Sequence, residues 1–312
     1  MKIRKPKFWD LKETNILSYL LLPFTLPLII NNYFLSFKKN RISKVIKTIC
    51  LGNIYIGGTG KTPLAIKLDQ ILKGLNFKTA TIKKFYKNQV DEQRLLDSKS
   101  KLYCKKNRTD ALNDALKDKI DIAIFDDGLQ DAHLNYDLSF VCFGSMNWIG
   151  NGFLIPSGPL REKLKSILKY DAIFLNGNEE NNTHIKDSIR EINENIKIFE
   201  TYYKPINIHK HNIEENYLIF SGIGNPDNFK KTLLKYGFKI IKEIKFPDHY
   251  QYTNKDIEKI KSIAIDLNVK IITTEKDFMK ISHKNIENIS FLEIDIVIRK
   301  QDELITFIKS KI

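Results

Sequence analysis

Val45-Ile46-Lys47-Thr48-Ile49-Cys50-Leu51, followed shortly by Gly57-Gly58-Thr59-Gly60-Lys61-Thr62-Pro63, decides the fold. The first run is apolar at most positions, as in a strand buried on both faces. The second is rich in glycine and leads into Leu64, Ile66, Leu68, Ile71 and Leu72, which have helical spacing. Strand, glycine turn, then Lys-Thr opening a helix is how a phosphate-binding loop is built. Glycines let backbone N–H groups turn inward and approach an anion closely. The helix that follows directs its positive dipole end at the same anion. Gly57, Gly58, Thr59, Gly60, Lys61 and Thr62 are thus the candidate nucleotide-binding residues. Lys61 is suited to the β/γ-phosphates and Thr62 to Mg²⁺. The usual pattern has its first glycine where this chain has Tyr55. The alternative is a glycine turn that binds nothing.

A phosphoryl-transfer site of this type needs a carboxylate at the end of another strand to hold the metal. Ile120-Asp121-Ile122-Ala123-Ile124-Phe125 reads as such a strand and runs into Asp126-Asp127-Gly128-Leu129-Gln130. Asp126 and Asp127 are the candidate metal residues. An Asp-Gly turn that only closes a strand is the competing reading.

Working outward, apolar runs at Thr79–Ile82, Lys101–Cys104, Leu138–Phe143 and Asp171–Asn176 read as further strands. Helical segments are expected at Thr62–Leu72 and Asp110–Leu116, and Lys83–Arg94 reads as a polar loop. Beyond Pro205 a second set begins, with strands at Tyr217–Ser221, Ile240–Ile244 and Lys270–Thr273, and a helix at Gln301–Ile312. Alternating strands and helices predict an α/β fold of P-loop NTPase type. Its sheet should be mostly parallel with helices on both faces, joined by a second, smaller α/β domain. The expected divisions are a membrane-associated segment (1–40), a P-loop domain (41–205) and a smaller domain contributing to the active-site cleft (206–312).

The 312 residues suffice for one large or two medium domains, and 28% charged with 42% hydrophobic residues suits a globular protein. The net charge of +14 points to an anionic partner. No basic run with interleaved aromatics stands out, so nucleic acid is not the expected partner. Cys50, Cys104 and Cys142 are far apart and odd in number, which reads as thiols of a reducing compartment.

No charge occurs between Glu13 and Lys38. The stretch is long enough to span a bilayer, but Pro23 and Pro27 interrupt a helix and Asn31-Asn32 break the apolar run. Basic residues flank both sides, and a single span with a cytosolic P-loop would export the basic amino terminus, against the charge rule for orientation. A segment lying in the membrane interface is expected. The alternative is an ordinary helix packed on the body of the protein.

The ordered motifs resemble one family, the tetraacyldisaccharide 4′-kinases. The matching pieces are Gly52-Asn53-Ile54-Tyr55-Ile56 with the loop through Pro63, Asp91-Glu92, Asp126 to Gln130, and Pro156-Ser157-Gly158-Pro159-Leu160-Arg161-Glu162. Gly222-Ile223-Gly224-Asn225-Pro226, Phe246-Pro247-Asp248-His249 and Thr274-Glu275-Lys276-Asp277 continue the series. The resemblance implies ATP-dependent phosphorylation of the 4′-hydroxyl of an acylated glucosamine disaccharide 1-phosphate. It implies a location at the cytosolic face of the bacterial inner membrane and a site between the two domains. Asp91 matches the family's base and His249 its partner. Glu92, with Thr62, Asp126 or Asp127, matches the Mg²⁺ set; Arg161, Glu162 and Gln130 are candidates for substrate contact. Three features depart from the family. Asp131 stands where a histidine is usual after the glutamine. Lys83-Lys84-Phe85-Tyr86 replaces an Arg-Gly-Tyr-Gly stretch, and the loop to Asp91 is short. The competing function is a P-loop nucleotide switch or ATPase that controls a membrane partner, which would not need Asp91 and His249 as a pair. A third is a membrane-bound adaptor, against which the intact Lys61-Thr62 argues.

Overall fold

The computed structural model describes residues 6–11, 15–36, 46–87, 89–131, 133–177, 182–248, 250–281 and 286–312. The chain forms two compact units. The larger takes the described residues of 3–85, 99–202 and 296–312; the smaller takes 86–98 and 203–295. In chain order the elements are α1 (Ile16–Leu20), α2 (Leu26–Ser36), β1 (Lys47–Gly52), α3 (Lys61–Gly74), β2 (Thr79–Lys84), α4 (Val90–Lys99), β3 (Leu102–Lys105) and α5 (Arg108–Lys117). There follow β4 (Ile122–Asp126), β5 (Leu138–Gly144), β6 (Ala172–Asn176), α6 (Thr183–Arg190) and β7 (Lys197–Pro205). Then come β8 (Asn216–Ser221), α7 (Pro226–Lys235), β9 (Lys239–Lys245), α8 (Asn254–Asp266) and β10 (Lys270–Thr274). The chain ends with α9 (Glu275–Phe278), β11 (Ile289–Leu292), β12 (Ile294–Ile298) and α10 (Gln301–Lys311).

The eight-stranded sheet of the larger unit has the order β12-β7-β6-β5-β1-β4-β2-β3. Every pairing from β7 to β3 is parallel. β4 is buried at every position, and β1 at all but its first, as their apolar runs require. Successive residues face opposite ways, so the two faces have separate covers. Cys50, Phe125, Val141 and Ile173 pack with Ala111, Leu112 and Ala115 of α5 and Ile185 and Ile189 of α6. On the other face Phe140 stacks on Phe174, and Phe307 of α10 meets both Phe140 and Phe199. The expected parallel α/β architecture with helices on both faces is the one observed.

The order places β1 directly beside β4, with Leu51 opposite Asp126 in register. The carboxyl end of one strand therefore carries the glycine loop, and the end of its neighbour carries the aspartates. β2 flanks β4 on the other side and sets Lys83 opposite Asp126.

The amino-terminal elements pack on the larger unit through polar anchors. Trp9 Nε1 donates to the Pro156 carbonyl at 3.0 Å, and Asn32 Nδ2 to the Arg161 carbonyl at 2.8 Å. Leu28 and Ile29 lie on a small cluster of Tyr55, Leu154 and Leu160. Ile16, Leu20, Phe24, Leu26, Ile30 and Phe34 nevertheless remain exposed. Among the described residues no helix is long and apolar enough to cross a membrane.

The smaller unit has a parallel sheet of order β11-β10-β8-β9. Ile257, Ile260 and Ala264 of α8 cover one face, and Phe229 and Leu233 of α7 the other. The stretch expected as a loop at Lys83–Arg94 is different. β2 runs on to Lys84, and α4 begins at Val90 and packs in the smaller unit. Its amphipathic signal is weak because two of its buried residues, Asp91 and Gln93, are polar.

Candidate active site

In the larger unit β1 ends at Gly52, and the loop that follows is folded around one side chain. Asn53 is fully buried, and its Nδ2 donates to the Tyr55 carbonyl at 2.5 Å, the Gly57 carbonyl at 3.3 Å and Thr59 Oγ1 at 3.2 Å. Gly57 at φ 144° and Gly60 at φ 83° take conformations that side chains disfavour. Gly60 caps α3, so the first helical residues are Lys61 and Thr62. Pro63 falls in the first turn, where its missing N–H costs no hydrogen bond. The loop's backbone N–H groups and the helix terminus suit an anion cradle.

Tyr55 is only 3% exposed, and its hydroxyl donates to Asp10 Oδ1 at 2.6 Å. Burial, then the Asp10 contact, pushes its phenol above its ordinary range. A residue at the usual glycine position thus ties the loop to the amino-terminal segment.

The carboxylates meet the loop as the register dictates. Thr62 Oγ1 donates to Asp126 Oδ2 at 3.0 Å, and Lys83 Nζ reaches the same oxygen at 2.6 Å. Asp127 adopts φ 65° and faces Lys61 Nζ at 3.6 Å and Arg161 Nη1 at 3.5 Å. Burial raises the Asp127 carboxyl's proton affinity, but Lys61, Arg161, Lys83 and Arg108 together outweigh it and hold the group below its usual value. Gly128 is required because a Cβ there would collide with the Tyr136 hydroxyl.

Arg161, Gln130 and Glu162 form one chain of contacts. Arg161 Nη1 donates to Gln130 Oε1 at 3.3 Å, Gln130 Nε2 to Glu162 Oε1 at 3.0 Å, and Tyr170 to the same Glu162 oxygen at 2.9 Å. Asp131, at the family's usual histidine position, pairs with Arg108 at 3.0 Å. Arg108 also donates through Nη2 to the Asp127 carbonyl, which holds the left-handed turn.

Asp91 and Glu92 belong to the smaller unit. Asp91 is 1% exposed on the first turn of α4. Lys276 Nζ stands 3.4 Å from Asp91 Oδ2, 3.2 Å from Glu92 Oε1 and 3.6 Å from Asp248 Oδ1. Lys280 lies 3.5 Å from Asp91 Oδ2 and 2.8 Å from Asp277 Oδ1. Burial works against the Lys276 charge, yet Glu92, Asp248 and Asp91 raise its proton affinity above the ordinary value. Asp277 also accepts from the Gly222 N–H at 2.9 Å, Thr274 Oγ1 at 2.7 Å and the Tyr252 hydroxyl at 3.0 Å. The Gly222 and Thr274 motifs therefore brace Lys280, one of the two lysines beside Asp91. His249 lies outside the described residues.

The structure thus gathers Lys61, Thr62, Asp126, Asp127, Gln130, Arg161 and Glu162 in the larger unit, and Asp91 and Glu92 with two lysines in the smaller one. Sequence reading missed the roles of Asn53, Lys83, Arg108, Lys276 and Lys280. Lys276 sat inside a quoted motif. Lys83 and Arg108 carried no signal, because strand register and helix packing bring them in.

The family model described as tetraacyldisaccharide-1-P 4′-kinase matches residues 17–312. A curated tetraacyldisaccharide 4′-kinase of Pelagibacter ubique is 48% identical over 304 residues, covering 97% of this chain and 96% of its own length. The same-named protein of Rickettsia typhi is 34% identical, covering 97% of each chain. Among solved structures, LpxK from Aquifex aeolicus in complex with ATP matches with a TM-score of 0.71 and 22% identity, over 95% of this chain and 99% of that one, which supports the same fold. The chain belongs to the tetraacyldisaccharide 4′-kinase family.

Proposed function

We propose that this chain transfers the γ-phosphoryl group of ATP to the 4′-hydroxyl of tetraacyldisaccharide 1-phosphate in lipid A biosynthesis. The observation that carries this reading is the built phosphate loop. Gly57 to Thr62 opens α3, and Lys61 and Thr62 face the paired aspartates that β4 brings alongside. In the reaction the acceptor oxygen bonds to γ-phosphorus, the bond from that phosphorus to the β,γ-bridging oxygen breaks, and ADP leaves. The hydroxyl proton passes to a base, for which Asp91 is proposed, with His249 as its partner on the resemblance. Transfer of this kind needs alignment and charge neutralisation more than covalent help. Lys61 and the loop N–H groups serve the phosphates, and Arg161 is available to the anionic acceptor.

The residues present suit Mg²⁺. Asp126 Oδ1 is buried without a hydrogen-bond partner among the described residues, and Thr62 Oγ1 lies against the other carboxylate oxygen. Both are hard oxygen donors of the kind magnesium takes. Thr62 and Asp126, with Asp127 as a further carboxylate, are the proposed set, and bound Mg²⁺ would neutralise phosphate charge. The exposed apolar side chains from Ile16 to Phe34 support peripheral contact with a membrane, proposed as the cytoplasmic leaflet of the inner membrane.

The test is transfer of labelled γ-phosphate from ATP to the acylated disaccharide 1-phosphate in detergent micelles with Mg²⁺. Wild type should form the 4′-phosphorylated product. Lys61→Ala should lose about 10²-fold or more in turnover, on the scale of removing one charge-stabilising donor. Asp91→Ala should lose turnover while still binding ATP. A folded, ATP-binding wild type that transfers nothing to this acceptor would overturn the assignment.

A further inference from the structure

We propose that Lys83 is a built-in counter-ion of the metal-binding carboxylate, and that it sets how strongly the nucleotide site depends on Mg²⁺. The inference rests on the reading of Thr62 and Asp126 as the magnesium residues. A P-loop site of the usual type needs one ammonium group, and Lys61 supplies it. This chain buries a second. Lys83 is 2% exposed, and its Nζ lies 2.6 Å from Asp126 Oδ2, the oxygen that also accepts from Thr62. The placement is fixed by strand register, since Lys83 of β2 stands opposite Asp126 of β4 in a parallel pair. Lys83 also adds to the field that keeps Asp127 ionised.

The consequences follow from charge alone. A positive charge fixed at a carboxylate repels a divalent ion approaching that carboxylate and competes for its electrons. The same charge attracts nucleotide phosphates. Lys83 therefore strengthens the binding of metal-free ATP and weakens the uptake of Mg²⁺. It also keeps Asp126 Oδ2 paired before any metal arrives.

The experiment measures binding of a fluorescent ATP analogue, in EDTA and across a Mg²⁺ titration, with no acceptor present. It uses the whole chain as wild type, Lys83→Gln and Lys83→Arg. Glutamine keeps a hydrogen-bond donor and removes the charge; arginine keeps the charge. In Lys83→Gln, half-saturation by Mg²⁺ should fall at least about fivefold, and affinity in EDTA should weaken at least about fivefold. Lys83→Arg should stay within about twofold of wild type on both. Should Lys83→Gln not fold, wild type alone decides: its affinity for the analogue in EDTA should lie within about tenfold of that with saturating Mg²⁺. A loss of about 10²-fold or more in EDTA, or a folded Lys83→Gln that matches wild type, would overturn the proposal and leave Lys83 a bracket between two strands. If Mg²⁺ has no effect on nucleotide binding in any variant, the magnesium reading itself fails, and this inference with it.

Discussion

At the residue scale the chain shows how one departure can be absorbed by a local pair. Asp131, where the family resemblance would place a histidine, is engaged with Arg108, which is 7% exposed and also holds the Asp127 carbonyl. Removing the acid leaves a buried guanidinium with one fewer anion, a change that costs about 3–5 kcal/mol when the pair is fully dry. The Asp131 side chain is 17% exposed, so water softens the loss. Asp131→Ala should lower unfolding stability by about 2 kcal/mol, and Asp131→Asn by about half as much, measured by urea denaturation. Values within a few tenths of wild type would show that the pair does not hold the turn. Much of the candidate site was legible in the sequence, because Gly57 to Thr62 and Asp126-Asp127 suggest phosphate and metal chemistry by residue type and local order. Lys83 and Arg108 were not, because they become part of the site only through register and packing. Asp91 was legible only through resemblance, since an acidic pair in a polar stretch ordinarily faces solvent.

At the scale of elements, strands read most clearly. β1, β4, β5 and β6 are buried on both faces and were legible as continuous apolar runs. β7, with alternating half-buried positions and three charged residues, was not, and α4 was hidden by its buried Asp91 and Gln93. The amino-terminal elements illustrate a mixed case. Their apolar composition fits both packing and a membrane surface; Leu28 and Ile29 are packed, and Ile16, Leu20, Phe24, Leu26, Ile30 and Phe34 are left exposed. Tyr55 is their link to the phosphate loop. Tyr55→Phe keeps the buried ring and removes the hydroxyl that bonds Asp10 and also meets Asn147. A hydrogen bond to a charged group contributes about 1.5–3 kcal/mol, and phenylalanine leaves no unsatisfied group of its own. The variant should show faster amide exchange across residues 6–36, with exchange in β4 and β5 unchanged. Equal exchange in both proteins would mean that Trp9, Asn32 and the Leu28–Ile29 contact hold the segment without Tyr55.

At the scale of the whole molecule, charge and apolar surface act on the same kind of partner. The chain carries a net charge of +14, and Ile16, Leu20, Phe24, Leu26, Ile30 and Phe34 are exposed within a stretch that bears no charge. On the proposed membrane contact, the charge would draw the protein toward an anionic bilayer and be screened by salt, and the apolar side chains would hold it there and not be screened. These two contributions separate experimentally. Sedimentation with vesicles containing anionic phospholipid should show binding that weakens as salt rises toward 0.5 M, where the Debye length falls to roughly 4 Å, without vanishing. Leu20→Glu combined with Phe24→Glu should remove most of what remains at high salt. Each side chain gives about 1–2 kcal/mol on partial insertion, so the pair should weaken binding by about 10²-fold, more still from the added charge. Both positions are more than half exposed, so the fold should keep its melting temperature. If the double variant binds as wild type does at high salt, the apolar segment is not the contact surface. If wild type releases fully at high salt, charge alone draws the protein to the bilayer and the apolar side chains add nothing.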